Sequence, residues 1–168
     1  MSNEPVVESI PIRRELVDVG VLLELTTEVM QRQAGALGIT FTVRIDDDVP
    51  DAAWLDRNKV AWAITSLLGS ALRHARKPGG SVGVHVRYEV ARPALCIAVR
   101  DDGPGIPSSR LETLLHRGAW QPGGALALLL VEDVARAHGG KVNIESSTGG
   151  SEHFTVVSFT IPLEPGRR

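Results

Sequence analysis

Apolar side chains recur at the spacing of an amphipathic helix near the start of the chain. This pattern predicts a helix from Val19 to Leu37. Asp18 lies directly before it and is a suitable N-cap, and Gly38 is typical of a helix end. The buried face of this helix is predicted to contain Leu22, Leu23, Leu25, Val29 and Met30.

A second helix is predicted from Arg57 to about Ala75, with Asp56 as its N-cap. At 3.6 residues per turn, one face of this helix is apolar and the opposite face is polar. The apolar face should therefore pack on the core, and the polar face should be available for other contacts. The apolar face contains Val60, Ile64, Leu67, Leu68 and Ala71, and the polar face contains Ser66, Ser70, Arg73 and His74. A short helix over 108–115 and an apolar helix over 125–137, ended by Gly139 and Gly140, complete the helical set.

Alternating apolar and polar positions predict the strands. Residues 39–45 alternate strictly, and shorter strand patterns cover 52–55, 81–88 and 94–99. A last hairpin is predicted to pair 141–146 with 154–161. The three aspartates at 46–48 favour a solvated turn over a cation site, because no spacing of oxygen ligands follows them. Hairpins with helices between them predict an α+β two-layer sandwich, in which a mostly antiparallel mixed sheet packs against about three helices.

Composition favours one soluble domain. The 168 residues are 43% hydrophobic, and we expect a domain over 17–163 with tails at 1–16 and 164–168. A net charge of -2, from 18 basic and 20 acidic residues, leaves no basic stripe for nucleic acid. The single cysteine, Cys96, excludes a disulfide framework within the chain. No apolar run is long enough to span a membrane, so a cytoplasmic location is expected.

The stretch 99–106, Val-Arg-Asp-Asp-Gly-Pro-Gly-Ile, is an apolar strand that runs into an acidic turn. Asp101 would end a buried strand, where its carboxylate can accept a hydrogen bond from a ligand amine. Gly103 and Gly105 would let the backbone pass close to a flat ring. Taken alone, however, Asp, Gly and Pro are also the residues of any surface turn.

The other features of the chain favour a nucleotide pocket over an ordinary surface turn. Asp101 is suited to an adenine amine, and the polar face of the second helix is suited to phosphates. The helix start at Gly123 and Gly124 can offer backbone amides and its dipole to anionic oxygens. The loop over 116–124, which contains Trp120, is either a mobile cover or an ordinary connection.

Five motifs then carry a resemblance to a known family. Residues 66–74, Ser-Leu-Leu-Gly-Ser-Ala-Leu-Arg-His, are similar to its N-box, and residues 101–106 match its first glycine box. Residues 123–128 resemble its second glycine box, 137–142 the turn after the last helix, and 159–162 the closing strand. Over residues 16–163 the chain resembles the ATP-binding catalytic domain of bacterial sensor histidine kinases, in the superfamily that includes gyrase, Hsp90 and MutL.

The resemblance implies a Bergerat ATP-binding fold that binds ATP or ADP. It implies adenine contacts from Asp101, Gly103, Gly105 and Ile106. It implies phosphate contacts from Ser66, Ser70, Arg73, His74, Gly123, Gly124, Ala125 and Leu126. The family's magnesium-binding asparagine aligns with Ser70, which makes Ser70 the candidate Mg²⁺ ligand.

The departures from the family pattern lie on the phosphate side. Both asparagines of the N-box are serines here, Ser66 and Ser70. Two glycines of the second glycine box are Ala125 and Ala127, and the phenylalanine-bearing box is replaced by Leu-Leu-His-Arg-Gly at 114–118. The adenine half of the pocket is therefore expected to be intact and the triphosphate half degraded.

The resemblance and the departures from it leave two alternative functions, and a third fits less well. The chain is the nucleotide-binding domain of a sensor histidine kinase, or it is a degenerate relative that acts as an interaction module with weak or no ATP binding. A serine kinase of the anti-sigma type fits the N-box less well. None of the five histidines lies in the acceptor context of a His followed by Glu or Asp, so a kinase would need a histidine-bearing dimerisation domain or another signalling protein.

Overall fold

The computed structural model describes residues 9–115 and 125–163. The predicted loop over 116–124 therefore lies outside the described residues, as do residues 1–8 of the first predicted tail and the whole of the second. The elements, in chain order, are β1 (Glu15–Asp18), α1 (Val19–Ala36), β2 (Thr40–Ile45), β3 (Ala52–Leu55), α2 (Arg57–His74), β4 (Ser81–Glu89), β5 (Ala94–Asp101), α3 (Ser108–Leu115), α4 (Ala125–Ala137), β6 (Val142–Ser147) and β7 (Phe154–Pro162).

Five strands form one mixed sheet in the order β2-β4-β5-β7-β6. Strands β2 and β4 are parallel, and the other three pairings are antiparallel. Strands β1 and β3 form a separate two-stranded antiparallel sheet. Helix α2 contacts both α1 and α4, and all three helices contact the large sheet. The predicted α+β two-layer sandwich is confirmed.

Strand β5 is the centre of the large sheet and leads to the acidic turn. Its residues from Ala94 to Val99 are buried, and Leu95, Ile97 and Val99 belong to the main hydrophobic core. Strands β4 and β7 pair with the two edges of β5 along its whole length, and α2 packs against it. A carboxylate at the end of such a strand is therefore held in a rigid position.

The face of α2 that packs on the core was predicted correctly. Its five apolar residues, Val60, Ile64, Leu67, Leu68 and Ala71, are all buried. Asp56 caps the helix by accepting a hydrogen bond from the Lys59 N–H at 3.0 Å, as expected.

Helix α1 departs from the prediction at two positions. Leu22 and Leu23 are buried, but Leu25 and Val29 are exposed, and Thr26 and Thr27 are buried instead. The threonine hydroxyls donate to the carbonyls of Leu22 and Leu23, so they can enter the core without an unmade hydrogen bond. This local bonding let two polar residues take the places that the apolar pattern assigned to Leu25 and Val29.

Strand β2 lies at the edge of the large sheet. Ile39 before it is buried, but Val43 and Ile45, at this edge, are each 37% exposed. The turn that follows is solvated, as predicted. Asp46 accepts hydrogen bonds from Arg44 and from His85, and the His85 contact is the main cause that lowers the pKa of Asp46. Within the described residues, no group of three or more His, Cys, Asp or Glu side chains could hold a metal ion.

Strand β1 was not predicted. It is only four residues long, and its register places Leu16 opposite Trp54 of β3. The preceding residues are attached as well, because the Arg13 N–H donates to Asp56 and the Arg14 guanidinium donates to the His138 carbonyl. Burial opposes the charge of Asp56, but the hydrogen bonds from Arg13 and Lys59 outweigh it and lower its pKa.

None of the described helices is both long and apolar enough to cross a membrane.

His138 joins the end of α4 to the start of α2 and is only 1% exposed. Its Nδ1–H donates to the Val134 carbonyl at 2.8 Å, and its Nε2 accepts from the Asp56 N–H at 3.0 Å. An acceptor at Nε2 requires the neutral ring. Burial is the main cause that lowers the pKa of His138.

Stability should therefore fall as the pH is lowered through the range between the unfolded and folded pKa values of His138. The folded state binds fewer protons there than the unfolded state, so the free energy of unfolding rises with pH. Urea unfolding between pH 7.5 and 5 measures this slope, and His138→Gln should flatten it. An unchanged slope in that variant would assign the effect to another histidine, and His74→Gln, at an exposed position, is the matched control.

Candidate functional site

Asp101, the last residue of β5, is buried with 7% of its surface exposed. Its Oδ1 accepts a hydrogen bond from the Gly103 N–H at 2.8 Å. Over the described ranges no fully buried side-chain oxygen or nitrogen lacks a partner, so Oδ2, to which no described group donates, must retain access to solvent. Burial raises the pKa of Asp101, and the Gly103 N–H and the nearby His74 oppose that shift. A partly desolvated carboxylate with one open oxygen can accept a hydrogen bond from a ligand.

The turn after Asp101 packs against α2 on one side. A Cβ at Gly103 would overlap the backbone carbonyl of His74, the last residue of α2. Only glycine lets the turn lie this close to the helix end. The close approach at Gly103 is thus to the end of α2, and the predicted approach to a flat ring stays a prediction.

The β6–β7 hairpin holds the other side of the turn. Gly105 has φ +77° and lies against the Ser147 carbonyl, where a Cβ would overlap it. The Ile106 N–H donates to Ser146 Oγ at 2.7 Å, and that hydroxyl donates to the Phe154 carbonyl. The shape of the turn is thus determined by groups from both neighbouring elements.

Asp102 ties the turn to the segment that follows α2. It accepts hydrogen bonds from the Arg76 backbone N–H at 3.2 Å and from the Arg76 guanidinium at 3.3 and 3.4 Å. Burial opposes its charge, but hydrogen bonds from Ser81 and Arg76 outweigh it and lower the pKa of Asp102. His153 Nδ1–H donates to the Gly103 carbonyl at 2.6 Å. Sequence reasoning did not identify Arg76, Ser146 or His153 as contributors, because each is remote in sequence and belongs to no motif.

The polar face of α2 leads up to this turn. Ser66 and Ser70 are half-buried, and Arg73 and His74 are exposed at the end of the helix. Ser70 Oγ lies 3.5 Å from His74 Nδ1. Ser66 is about 12 Å from His74 along the axis, at 1.5 Å per residue. Hydroxyl, guanidinium and imidazole groups therefore form a row that ends beside the turn containing Asp101.

The glycine loop that precedes α4 is the part of the predicted site that is not described. Gly123 and Gly124 lie outside the described residues, and Ala125 and Leu126 begin the backbone of α4. Helix α4 packs on α2, as well as on β6 and β7. The assignment of these four residues to phosphate binding stays a prediction.

Residues 55–165 match the family model described as "Histidine kinase-, DNA gyrase B-, and HSP90-like ATPase". The chain is 31% identical over 140 residues to the alginate biosynthesis sensor protein KinB of Pseudomonas aeruginosa, which covers 79% of this chain and 23% of KinB. The curated relative is thus much longer than the chain.

Two solved structures have a similar fold. The nucleotide-free catalytic domain of the histidine kinase ThkA superposes with a TM-score of 0.77 at 19% identity, covering 92% of this chain and 100% of that domain. Full-length ShkA in complex with AMPPNP gives a TM-score of 0.78 at 20% identity, covering 95% of this chain and 33% of ShkA. At these identities the likeness concerns the fold.

Proposed function

The chain belongs to the family of histidine kinase-, DNA gyrase B- and HSP90-like ATPases, and we propose that it binds adenine nucleotide as the catalytic domain of a two-component sensor histidine kinase. The observation that carries this proposal is the environment of Asp101. Its carboxylate ends the central strand, is largely buried, and keeps one oxygen open. The proposed unit comprises residues 17–163 and works in the cytoplasm.

Adenine fits this half of the site. Its exocyclic amine is a hydrogen-bond donor that the open oxygen of Asp101 can accept, and its flat ring can approach a turn of glycines closely. Asp102, Ser146 and His153 hold that turn in place before any ligand binds. A preformed turn supports affinity because little conformational entropy is lost on binding.

The phosphates would lie along the polar face of α2. Arg73 and His74 can supply positive charge, and Ser66 and Ser70 can donate hydrogen bonds. The backbone amides at the start of α4, from Gly123 to Leu126, would add donors at a helix N-terminus. All eight residues of this phosphate side remain proposals.

Magnesium would neutralise phosphate charge during transfer. Ser70 is its candidate ligand, and a serine hydroxyl is compatible with Mg²⁺ but shorter than asparagine. A Ser70 hydroxyl beside His74 offers one neutral oxygen and no carboxylate. The donor set therefore fits a Mg²⁺ held mainly by the nucleotide's own phosphates.

In the proposed reaction the γ-phosphate of ATP goes to a histidine on another domain or chain. This chain would contribute position and charge compensation, which are the main sources of catalysis in phosphoryl transfer. Its partner would be a histidine-bearing dimerisation domain or another signalling protein. The chain itself supplies no catalytic residue in this proposal.

A second candidate function is a pseudo-ATPase that acts as a regulatory interaction module. The observation that favours it is the replacement of both N-box asparagines by Ser66 and Ser70 and of two box glycines by Ala125 and Ala127. Loss of a magnesium ligand and of two close backbone approaches would remove about 2 to 4 kcal/mol, roughly thirty- to a thousand-fold in affinity.

Calorimetric titration of ATP and of ADP, each with and without Mg²⁺, distinguishes these functions. Micromolar, magnesium-dependent ATP binding supports the kinase domain, and a histidine-bearing partner can then be tested for phosphorylation. Binding of ADP alone, or none at millimolar nucleotide, supports the pseudo-ATPase. Guanine nucleotides are the control, since Asp101 should accept a hydrogen bond from the amine of adenine and not from the O6 of guanine.

Restoring the family residues should strengthen magnesium-dependent binding. We expect Ser70→Asn combined with Ala125→Gly and Ala127→Gly to lower the ATP dissociation constant by roughly tenfold or more when Mg²⁺ is present, because each change restores a ligand or a close backbone approach. The same titration measures it, and Thr65→Asn, which lies on α2 outside the predicted site, is the matched control. No gain in the triple variant would mean that these positions do not limit affinity.

A further inference from the structure

His153 lies in the loop of the β6–β7 hairpin, directly before β7 begins. The pairing of Ser147 with Phe154 closes the hairpin, and the Ser147 hydroxyl donates to the Glu152 carbonyl at 3.2 Å. These contacts fix the backbone on both sides of His153. Its half-buried ring is therefore held against the acidic turn, at a position outside the five motifs.

The His153 ring contacts two carbonyl groups of that turn. Its Nδ1 lies 2.6 Å from the Gly103 oxygen and 3.2 Å from the Asp102 oxygen. A carbonyl oxygen only accepts, so Nδ1 must carry a hydrogen and share it between the two oxygens. The ring can do this either as the neutral Nδ1–H form or as the charged form. One side chain thus holds two successive peptide groups of the turn.

The peptide group that joins Asp102 to Gly103 also contacts Asp101. Its carbonyl accepts from His153 at 3.2 Å, and its N–H donates to Asp101 Oδ1 at 2.8 Å. Because a peptide group is planar, a bond that holds its oxygen also sets the direction of its N–H. Hydrogen bonds in a chain also polarise and strengthen one another. A chain of hydrogen bonds therefore runs from His153 through this peptide group to the Asp101 carboxylate.

This chain determines which oxygen of Asp101 is available to a ligand. The Gly103 N–H occupies Oδ1, so it restricts the rotation of the carboxylate and leaves Oδ2 as the open oxygen. We propose that His153 is a positioning residue for adenine binding, which acts through the Asp102–Gly103 peptide group to orient Asp101. This role rests on the proposed function, since adenine is the ligand, but the orientation of the carboxylate exists in the free protein.

The other contacts of the turn do not hold this peptide group. Ser146 accepts from the Ile106 N–H, and the Asp102 carboxylate accepts from Arg76. The Asp102 N–H donates to the Ser81 carbonyl at 3.3 Å, but that N–H belongs to the preceding peptide group. Within the described ranges, no group other than His153 donates to the Asp102 carbonyl. Loss of the Nδ1 donor should therefore loosen the N–H that Asp101 accepts.

Two variants of His153 test the role of Nδ1. The amide nitrogen of asparagine falls near the position of Nδ1, and the amide nitrogen of glutamine falls farther out, near the position of Nε2. His153→Asn therefore keeps the donor that the turn requires, and His153→Gln moves it away. Both variants remove the charge that the ring can carry, so His153→Asn is the matched control for His153→Gln.

The pKa of Asp101 in the ligand-free chain is the first readout, followed by carbon-13 NMR of its carboxyl group. The Gly103 N–H lowers this pKa against the effect of burial, so a looser N–H should raise it. We expect a higher pKa of Asp101 in His153→Gln than in His153→Asn. The other charged groups that act on Asp101 are the same in both variants, namely His74, Asp102 and Arg100.

The ATP affinity of the same variants, measured by calorimetry, is the second readout. His153→Gln should bind roughly tenfold more weakly than His153→Asn, because the hydrogen bond from the amine to Asp101 is no longer well oriented. The urea unfolding midpoints of the two variants should stay close to each other, since both retain a polar side chain of similar size.

Equal pKa values of Asp101 in the two variants would overturn the positioning role, and a lower unfolding midpoint in His153→Gln would then make His153 a structural residue of the hairpin. Different pKa values with equal, measurable ATP affinities would overturn its role in adenine binding. A parent chain that binds no nucleotide contradicts the proposed function instead. In that case the pKa comparison alone supports or overturns the orientation of Asp101 by His153.

Discussion

Asp101→Asn should remove adenine-nucleotide binding and leave the fold intact. The variant replaces a charged acceptor with an amide, so the hydrogen bond to the adenine amine loses its charge assistance. A hydrogen bond to a charged group contributes about 1.5 to 3 kcal/mol, and an amide donor facing the amine adds repulsion. We expect a loss of about 100-fold or more in affinity, measured by the same calorimetric titration.

The same variant should also stabilise the ligand-free protein. Burial raises the pKa of Asp101, so its charged form carries a desolvation penalty at neutral pH. The folded state binds protons more readily than the unfolded state, and the penalty disappears as the pH falls through the folded pKa. The unfolding midpoint of Asp101→Asn should therefore lie above that of the parent at pH 7, and the difference should shrink at acidic pH.

Asp47→Asn is the matched control, because Asp47 is exposed in the turn after β2 and the charge change is identical. It should alter neither affinity nor midpoint. If Asp101→Asn bound ATP as tightly as the parent, the assignment of Asp101 to adenine would be wrong. If it bound weakly but also unfolded at lower temperature, Asp101 would be a structural residue of the turn.

Gly105→Ala should strongly destabilise the chain. The residue has φ +77°, which a side chain tolerates poorly, and its new Cβ would overlap the Ser147 carbonyl of the β6–β7 hairpin. The overlapping atoms belong to the Ser147 backbone, so no side-chain rotation can relieve the overlap. We expect a loss of about 2 to 4 kcal/mol in the free energy of unfolding, measured with urea.

Gly150→Ala separates the two causes of that loss. Gly150 has a similar φ of +68°, but a Cβ there would meet nothing within 4 Å. Its substitution should cost about 1 kcal/mol, from the backbone conformation alone. Equal losses in the two variants would show that contact between the turn and the hairpin contributes nothing. Where Gly105→Ala still folds, its nucleotide affinity should fall as well, because the turn must shift.

Periodicity predicted much of the architecture because several elements have a single dominant pattern. In α2, five apolar residues at helical spacing all proved to be buried, and β4 and β5 were placed by the same reasoning. Helix α4 was predicted with the bounds that the structure has, since Gly139, with φ +84°, ends it. Element type and order depend on local sequence, which is why these predictions were confirmed.

Predictions failed where side-chain hydrogen bonding or strand pairing outweighed the apolar pattern. Leu25 and Val29 have the spacing of a core face, but the threonines beside them satisfy their own hydroxyls and take the buried positions. Strand β1 is short and partly polar, and it exists because β3 pairs with it. Neither outcome follows from the spacing of apolar residues alone.

The sequence by itself determined the order of the elements from α1 onward, the acidic turn after a buried strand, and the family to which the chain belongs. These depend on residue types at short spacing, and short-range spacing is what a sequence contains directly. The substitutions at Ser66, Ser70, Ala125 and Ala127 were equally visible.

Only the tertiary structure decided how the acidic turn is held and which face of α1 stays open. Arg76 reaches Asp102 across 26 positions, Ser146 reaches Ile106 across 40, and His153 reaches Gly103 across 50. Such contacts form only when β5, α2 and the β6–β7 hairpin pack together. They arise from the packing of the elements, which residue spacing along the chain does not specify.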